Sequence, residues 1–346
     1  MEKQIHGGNT YDKEVSLDFS VNINPLGMPD GVQDAILNNM SGYETYPDIR
    51  YTALREAVAG KERVQAERIL CGNGASELIM AVVRAEKPYK CAVAAPSFSG
   101  YERAVSAYGA ETEYYKLDEK NGFGYADACS QLKDMDIQMC FICNPNNPTG
   151  ITIPQDLLEE ILETCAMQGI FMVVDECFLD FVKDPEKHTL KGKLEKYPGL
   201  FILKAFTKRY AIPGVRLGYG FCSDGEVLDR MEAVTQPWNV STMAQQAGMA
   251  ALKESEYVEA GRQIIFRESA WMKEKMRQLG LTLYPSEANY IFFYGPEELF
   301  ERCVAKGFLI RDCSNYPGLK KGYYRVAVKL HEQNEKLIEI LEEVLS

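Results

Sequence analysis

The chain has 346 residues and a net charge of −12, with 46% hydrophobic and 25% charged residues. That length suits two domains, or one large α/β domain with a smaller lobe, and the ordinary balance excludes a fibrous or disordered chain. The acidic charge argues against non-specific binding to nucleic acid or membranes, and the lack of any run of about eighteen apolar residues argues against a membrane span.

The first forty residues are rich in Gly, Asn and Pro and read as irregular, packing with a small lobe or closing over a site. The start, Met1-Glu2-Lys3-Gln4-Ile5-His6, has no apolar signal region, so the cytoplasm is the expected compartment. His6-Gly7-Gly8-Asn9 reads as a backbone nest with an imidazole, able to hold an anion. The plainer alternative is a frayed tail.

Gly72-Asn73-Gly74-Ala75-Ser76-Glu77 opens a helix expected over 76–86. Its glycines let backbone N–H groups approach a phosphate, and the helix N-terminus adds its dipole. It is not a dinucleotide fingerprint, because Glu77 replaces the third glycine, and no lysine follows to make a P-loop. An ordinary turn with Ser76 as N-cap is the alternative.

A buried strand is expected over 91–95 and a helix over 98–108. Between them, Phe98 could stack on a flat ring, or be plain core. The next strand, 139–143, carries Cys140 and Cys143. Residues three apart on a strand face opposite ways, so no shared metal is expected. The ten cysteines read as reduced thiols. Asn144-Pro145-Asn146-Asn147-Pro148-Thr149-Gly150 follows, a turn locked by two prolines from which Asn147 could hydrogen-bond a ring oxygen. A rigid connector is the alternative.

After a helix over 154–168, with Pro154 in its first turn, a strand over 170–174 ends at Asp175. A buried acid is costly unless paired. A protonated pyridine nitrogen would be a fitting partner; a helix cap or an arginine are the alternatives. Strand 200–203 leads into Thr207-Lys208-Arg209, and Arg216 follows after a fixed gap. An amine that forms a Schiff base with an aldehyde cofactor needs that cofactor's phosphate held nearby. The Thr207 hydroxyl and the planar fork of Arg216 can do this. A strand over 217–222 and a helix over 224–234 complete the alternation.

Alternation of this kind implies a mostly parallel sheet covered on both faces, with ligands gathered at the carboxyl ends of its strands. Helix 254–279, strand 289–294, helix 296–306, strand 323–328 and helix 331–345 read as a smaller α+β lobe. Arg311 and Arg325 flank apolar runs there and could bind a carboxylate and a phosphate; surface salt bridging is the alternative. The expected division is 1–40 as an N-terminal segment, 41–250 as the large domain and 251–346 as the small one.

The Gly-Asn-Gly loop, Phe98, the loop ending at Gly150, Asp175, and Lys208 with Arg216 occur in a fixed order. In that order the chain resembles the pyridoxal-phosphate enzymes of the aspartate-aminotransferase fold, fold type I. The resemblance implies an α/β fold with a mostly parallel central sheet and a smaller α+β domain. It implies that Lys208 carries the aldehyde of pyridoxal 5'-phosphate as a Schiff base, that Asp175 pairs with the pyridine nitrogen, and that Asn147 bonds the ring hydroxyl. Phe98 would lie against the ring, and Gly74, Ala75, Ser76, Thr207 and Arg216 would hold the phosphate. Tyr46, in Tyr46-Pro47-Asp48, matches a tyrosine that reaches the neighbouring subunit's cofactor phosphate, which implies a homodimer.

The flanks are similar to one branch of the histidinol-phosphate-aminotransferase-like group, the threonine-phosphate decarboxylases. The signs are His6-Gly7-Gly8-Asn9, residues 18–27, Ala211-Ile212-Pro213-Gly214, Pro237-Trp238-Asn239-Val240 and Asn315-Tyr316-Pro317-Gly318-Leu319. Phe178 stands where the aminotransferases usually carry tyrosine. The resemblance implies decarboxylation of L-threonine O-3-phosphate to (R)-1-amino-2-propanol O-phosphate for cobalamin synthesis, with an aminotransferase acting on histidinol phosphate or another amino acid as the alternative. It places His6, Gly7, Asn22, Asn147, Arg311 and Arg325 on a phosphorylated amino-acid substrate. Ala205 departs from the serine or threonine common among relatives and removes one phosphate hydrogen bond.

Overall fold

The computed structural model describes residues 7–11 and 14–346. Among them the strands follow in chain order as β1 (Leu17–Asp18), β2 (Ile69–Gly72), β3 (Lys90–Ala95), β4 (Glu111–Lys116), β5 (Met139–Cys143), β6 (Phe171–Asp175) and β7 (Leu200–Ala205). They continue as β8 (Gly218–Phe221), β9 (Thr282–Leu283), β10 (Tyr290–Tyr294), β11 (Phe308–Leu309), β12 (Arg311–Asp312) and β13 (Tyr323–Ala327).

Seven strands form the main sheet in the order β2-β8-β7-β6-β5-β3-β4. Strand β8 runs antiparallel to both of its neighbours, and the remaining pairs are parallel. Met-Cys-Phe-Ile-Cys in β5 is buried throughout, and Phe-Met-Val-Val-Asp in β6 nearly so. Continuous burial is what a parallel strand covered on both faces requires. Helix Ala75–Glu86 links β2 to β3, Gly100–Tyr108 links β3 to β4, and Gln155–Met167 links β5 to β6. Because β3, β5, β6 and β7 run in one direction, Phe98, Asn147, Asp175 and Lys208 all emerge at the same sheet edge.

A second sheet, antiparallel and ordered β12-β13-β10-β9, packs with the long helix Ser255–Gln278 and the last helix, His331–Leu345. It has its own apolar core, built around Phe19, Met272, Ile291, Phe293, Val326 and Leu337.

The structure corrects several expectations. The first forty residues are not wholly irregular. Asp30–Leu37 is a helix packed on Thr242–Ala251, and β1 pairs in parallel with β11. Pro154 lies just before its helix, extended at ψ 144°, and the helix begins at Gln155. Strands β2 and β4 were not anticipated. The first is only four residues long, too short to show periodicity. The second, Glu-Thr-Glu-Tyr-Tyr-Lys, is an edge strand whose exposed polar residues read as loop.

Among the described residues, no helix is long and apolar enough to cross a membrane. All ten cysteines are buried free thiols.

Candidate active site

A cavity of about 720 Å³ opens at the carboxyl edge of the main sheet and reaches the small sheet. Four guanidiniums, those of Arg103, Arg216, Arg311 and Arg325, and the Lys208 amine line it against two acids, Glu77 and Asp175. A chain with an overall excess of acids thus concentrates positive charge in one place, as anionic ligands require.

The floor comes from β6 and β7. Asp175 ends β6 and is almost fully buried. Its Oδ2 accepts from the Tyr101 hydroxyl at 2.7 Å, and its Oδ1 accepts from the Cys177 backbone N–H at 2.9 Å. Tyr101 is itself fixed, stacked on Phe141 with ring centroids 5.0 Å apart. Burial, with Asp175 beside it, raises the Tyr101 phenol pKa well above its usual value, so Tyr101 remains a donor to the carboxylate.

Lys208 lies in the four-residue helix Phe206–Arg209 that follows β7. Its Nζ is 5.8 Å from the centre of the Phe178 ring. Burial lowers its pKa, and the positive charges of Arg325 and Arg216 add to the effect. Desolvation favours the neutral amine, the form that attacks a carbonyl.

One wall is a ready anion cradle. The helix Ala75–Glu86 begins at the cavity, which Ala75, Ser76 and Glu77 line, and the opening N–H groups of a helix are available to an anion. Ser76 sits in the first turn, and Gly74, not Ser76, is the N-cap. Gly74 has φ +77°, and a Cβ there would lie 2.5 Å from Arg216 Nη2. Only glycine lets the guanidinium close this far over the helix end. Arg216 is held by donating Nη1 to the Pro213 carbonyl at 3.0 Å. The Ser76 and Thr207 side chains also line the cavity.

The opposite wall carries two guanidiniums. Arg311 and Arg325 are directly paired across β12 and β13. Like charges opposite one another on adjacent strands repel, so this pair is suited to an anion that neutralises it. Arg325 donates Nη2 to the Ser20 carbonyl at 2.8 Å and Nη1 to Asn147 Oδ1. With the Asn22 amide turned so that its oxygen faces the guanidinium, Asn22 accepts from Arg325 Nε at 3.1 Å. Arg311 donates Nη2 to Asn315 Oδ1 at 2.8 Å and lies 5.1 Å from the Tyr316 ring centre.

Of the expected site residues, Gly7, Asn22, Ala75, Ser76, Phe98, Asn147, Asp175, Thr207, Lys208, Arg216, Arg311 and Arg325 line one cavity, with Gly74 behind Arg216. Gly7 packs on Ser20, and the Gly8 N–H donates to Ser20 Oγ at 2.8 Å. His6 lies outside the described residues. Tyr46 does not line the cavity of its own chain; it is exposed, with its ring 4.7 Å from that of Trp238. Cys143 and Cys177 line the cavity while Cys140 sits against Cys165, so the two cysteines of the C-x-x-C face different surroundings. Sequence reasoning missed Tyr101, Tyr316 and Arg103. Tyr101 lies one helical turn after Phe98, and that spacing was the available signal.

Residues 14–341 match the family profile of the class I and II aminotransferases. The chain belongs to that family. The threonine-phosphate decarboxylase of Salmonella typhimurium is 38% identical over 99% of this chain and 96% of that protein. The structure superimposes on the histidinol-phosphate aminotransferase of Clostridium acetobutylicum with a TM-score of 0.88 at 29% identity, covering 95% of this chain and 99% of that one. With the L-threonine-O-3-phosphate decarboxylase of Porphyromonas gingivalis the TM-score is 0.82 at 25% identity, with 95% and 99% covered. The cofactor of this family of enzymes is pyridoxal phosphate, and the donor set fits it. A half-buried amine, a buried carboxylate and a glycine-gated phosphate cradle share one cavity.

Proposed function

We propose that this class I and II aminotransferase family member is a pyridoxal-phosphate-dependent decarboxylase of L-threonine O-3-phosphate, yielding (R)-1-amino-2-propanol O-phosphate for cobalamin synthesis. The observation that carries this reading is the cross-strand Arg311–Arg325 pair facing Lys208 across the cavity. A substrate bearing both a phosphate and a carboxylate is matched by two such forks. The similarity to the Salmonella decarboxylase over nearly the whole chain points the same way.

The chain's residues take the following parts. Gly74, Ala75, Ser76, Thr207 and Arg216 hold the cofactor phosphate, Phe98 lies against the ring, and Asp175 holds the ring nitrogen. Asn147 gives its oxygen to Arg325 and leaves its Nδ2 amide for the ring hydroxyl. Pyridoxal phosphate supplies an aldehyde that couples to amines and a ring that withdraws electrons from the bond being broken. Lys208 is the amine that meets the aldehyde. Arg311 and Arg325, with Asn22, Gly7 and His6, bind the substrate's anionic groups and turn its Cα so that the bond to the carboxylate stands across the ring. Loss of carbon dioxide would leave an electron pair at Cα, and Lys208 Nζ, freed by the substrate amine and holding a proton taken from the substrate's ammonium group, would deliver the proton that completes the amine product.

Phe178 lies beside Lys208 and brings no phenol into the cavity, in keeping with decarboxylation. The close superposition on a histidinol-phosphate aminotransferase favours the second reading, amino transfer from histidinol phosphate. Exposed Tyr46 and Trp238 suit a homodimer in which Tyr46 reaches the cofactor phosphate of the second copy. Residues 41–250 would be the cofactor-binding domain, 251–346 the small domain, and 1–40 a segment joining the site. Ten reduced thiols suit the cytoplasm.

Purified protein loaded with pyridoxal phosphate should release carbon dioxide from O-phospho-L-threonine. If 2-oxoglutarate-dependent transfer from histidinol phosphate dominates instead, the decarboxylase reading is wrong.

A further inference from the structure

Behind the cavity lies a set of buried charges that the reaction does not use. Its centre is Glu62, the last residue of helix Thr52–Glu62, which is 4% exposed. Glu62 accepts from the Tyr219 hydroxyl at 2.7 Å and pairs with Lys191 at 3.2 Å. It also lies 3.6 Å from both Lys204 and Arg209. Arg209 reaches Asp180 at 3.3 Å, and Lys204 reaches Glu176 at 4.0 Å. Glu176 accepts from the Thr189 hydroxyl at 2.8 Å. Three acids and three bases are thus collected; Glu62, Glu176, Lys204 and Arg209 are buried, while Asp180 and Lys191 lie at the partly exposed rim.

Their positions in the chain are what matter. Glu176 directly follows Asp175, and Arg209 directly follows Lys208. Lys204 precedes Ala205, which lines the cavity, so on a strand its side chain projects to the opposite face. Each of the two groups that meet the cofactor therefore has a chain neighbour anchored in the cluster. At its start the Lys208 turn is held by Phe206, whose N–H donates to the Leu217 carbonyl at 3.2 Å and whose buried ring packs on Tyr210 and Tyr219. It is four residues long, too short to be stable as an isolated helix. At its end Asn24 donates its backbone N–H to the Lys208 carbonyl at 2.9 Å and its side-chain amide to the Arg209 carbonyl at 3.1 Å, and the Arg209 side chain is held by the cluster.

We infer that Glu62 is a positioning residue. By holding Arg209 and Lys204 it fixes the turn that aims Lys208, and through Lys204 and Glu176 it fixes the strand end that aims Asp175. The electrostatics agree. Burial acts to raise the Glu62 pKa, but Lys204, Arg209 and Lys191 together outweigh it and hold the carboxyl well below its usual range. Glu62 is therefore the permanently charged centre of the cluster. Removing its charge leaves three cations to share Asp180 and Glu176, and a cluster with such an excess responds by rearranging.

This inference rests on the functional reading for its catalytic consequence but not for its physical one. The test compares wild-type holoenzyme with Glu62→Gln, Tyr219→Phe and a core control, Leu158→Ala. Leu158 is fully buried in a helix that contributes nothing to the cavity. Two quantities are read. The first is the visible circular dichroism per bound pyridoxal phosphate, which reports how rigidly the ring is held and needs no substrate. The second is the division between kcat and KM for O-phospho-L-threonine.

Glu62→Gln is expected to lose at least half of the dichroism per bound cofactor and about tenfold in kcat, with KM within twofold because Arg311 and Arg325 are untouched. Tyr219→Phe, which deletes one hydrogen bond and no charge, should show the same pattern at roughly a third of the size. It carries the test if Glu62→Gln does not fold. Unchanged dichroism and kcat in the folded variants would overturn the inference. So would equal losses in Leu158→Ala at matched thermal stability, because the role would then be structural only. If wild-type protein releases no carbon dioxide, the functional reading fails, and the dichroism alone decides whether the cluster positions the cofactor.

Discussion

Replacing Arg325 with lysine keeps the charge and removes the fork. In the structure the guanidinium serves three acceptors at once: the Ser20 carbonyl, Asn147 Oδ1 and, with its amide turned, Asn22. An ammonium at the end of a flexible stem can reach one of these while facing a substrate anion. Two charge-assisted hydrogen bonds are therefore lost, each worth about 1.5–3 kcal/mol. These bonds hold the fork before substrate arrives, so their loss reaches the transition state as misplacement of the charge that faces the anion, about 3–4 kcal/mol in transition-state binding. That corresponds to a fall of about 10²–10³ in kcat/KM. The assay is carbon dioxide release from O-phospho-L-threonine, with cofactor content measured in parallel. Bound pyridoxal phosphate should stay near wild-type levels, since Gly74, Arg216 and Lys208 are unchanged. A kcat/KM within threefold of wild type would refute the assignment of Arg325 to the substrate.

Other expectations follow from single contacts. Tyr101→Phe removes the 2.7 Å hydrogen bond to buried Asp175 and should lower kcat about tenfold, for a loss of roughly 1–2 kcal/mol, with KM little changed; steady-state kinetics would show it. Gly74→Ala places a methyl group against Arg216 at a left-handed φ, which costs about 1–2 kcal/mol from backbone strain alone. Equilibrium dialysis should find pyridoxal phosphate bound at least tenfold more weakly. Burial raises the Glu176 pKa to about 7, against a partial opposing pull from Lys204. The folded state therefore binds this proton more tightly than the unfolded chain does. Its contribution to stability is present below the unfolded value near 4.5 and is lost as pH rises through about 7. Relative to Glu176→Gln, wild-type protein should lose on the order of 2–3 kcal/mol between those limits, read by denaturant titration at each pH.

Much of the site was legible because parallel sheets place their chemistry at strand ends. Asn147, Asp175 and Lys208 each follow a continuous apolar run, and that run marks both the strand and the edge where the residue emerges. The Gly74 loop was legible from its glycines, though not as a fit to Arg216, which lies 142 residues further on. What stayed hidden depends on contacts distant in sequence. Nothing local connects Tyr101 with Asp175 or Glu62 with Lys204 and Arg209; only the sheet order brings them together. Strand β4 was hidden for the opposite reason, since an edge strand keeps polar residues and reads as loop. The Asp30–Leu37 helix lies in a segment whose Gly, Asn and Pro content obscured its short apolar stripe, of which Val32 is the buried member.

The whole reading depends on one covalent bond, between Lys208 Nζ and the cofactor aldehyde. Protein saturated with pyridoxal phosphate, reduced with borohydride and mapped by peptide mass spectrometry tests it directly. The pyridoxyl adduct is expected on the peptide carrying Lys208, and to be absent from that position in a folded Lys208→Ala variant. An unmodified Lys208 peptide from saturated wild-type protein, or an adduct confined to another lysine, would contradict it.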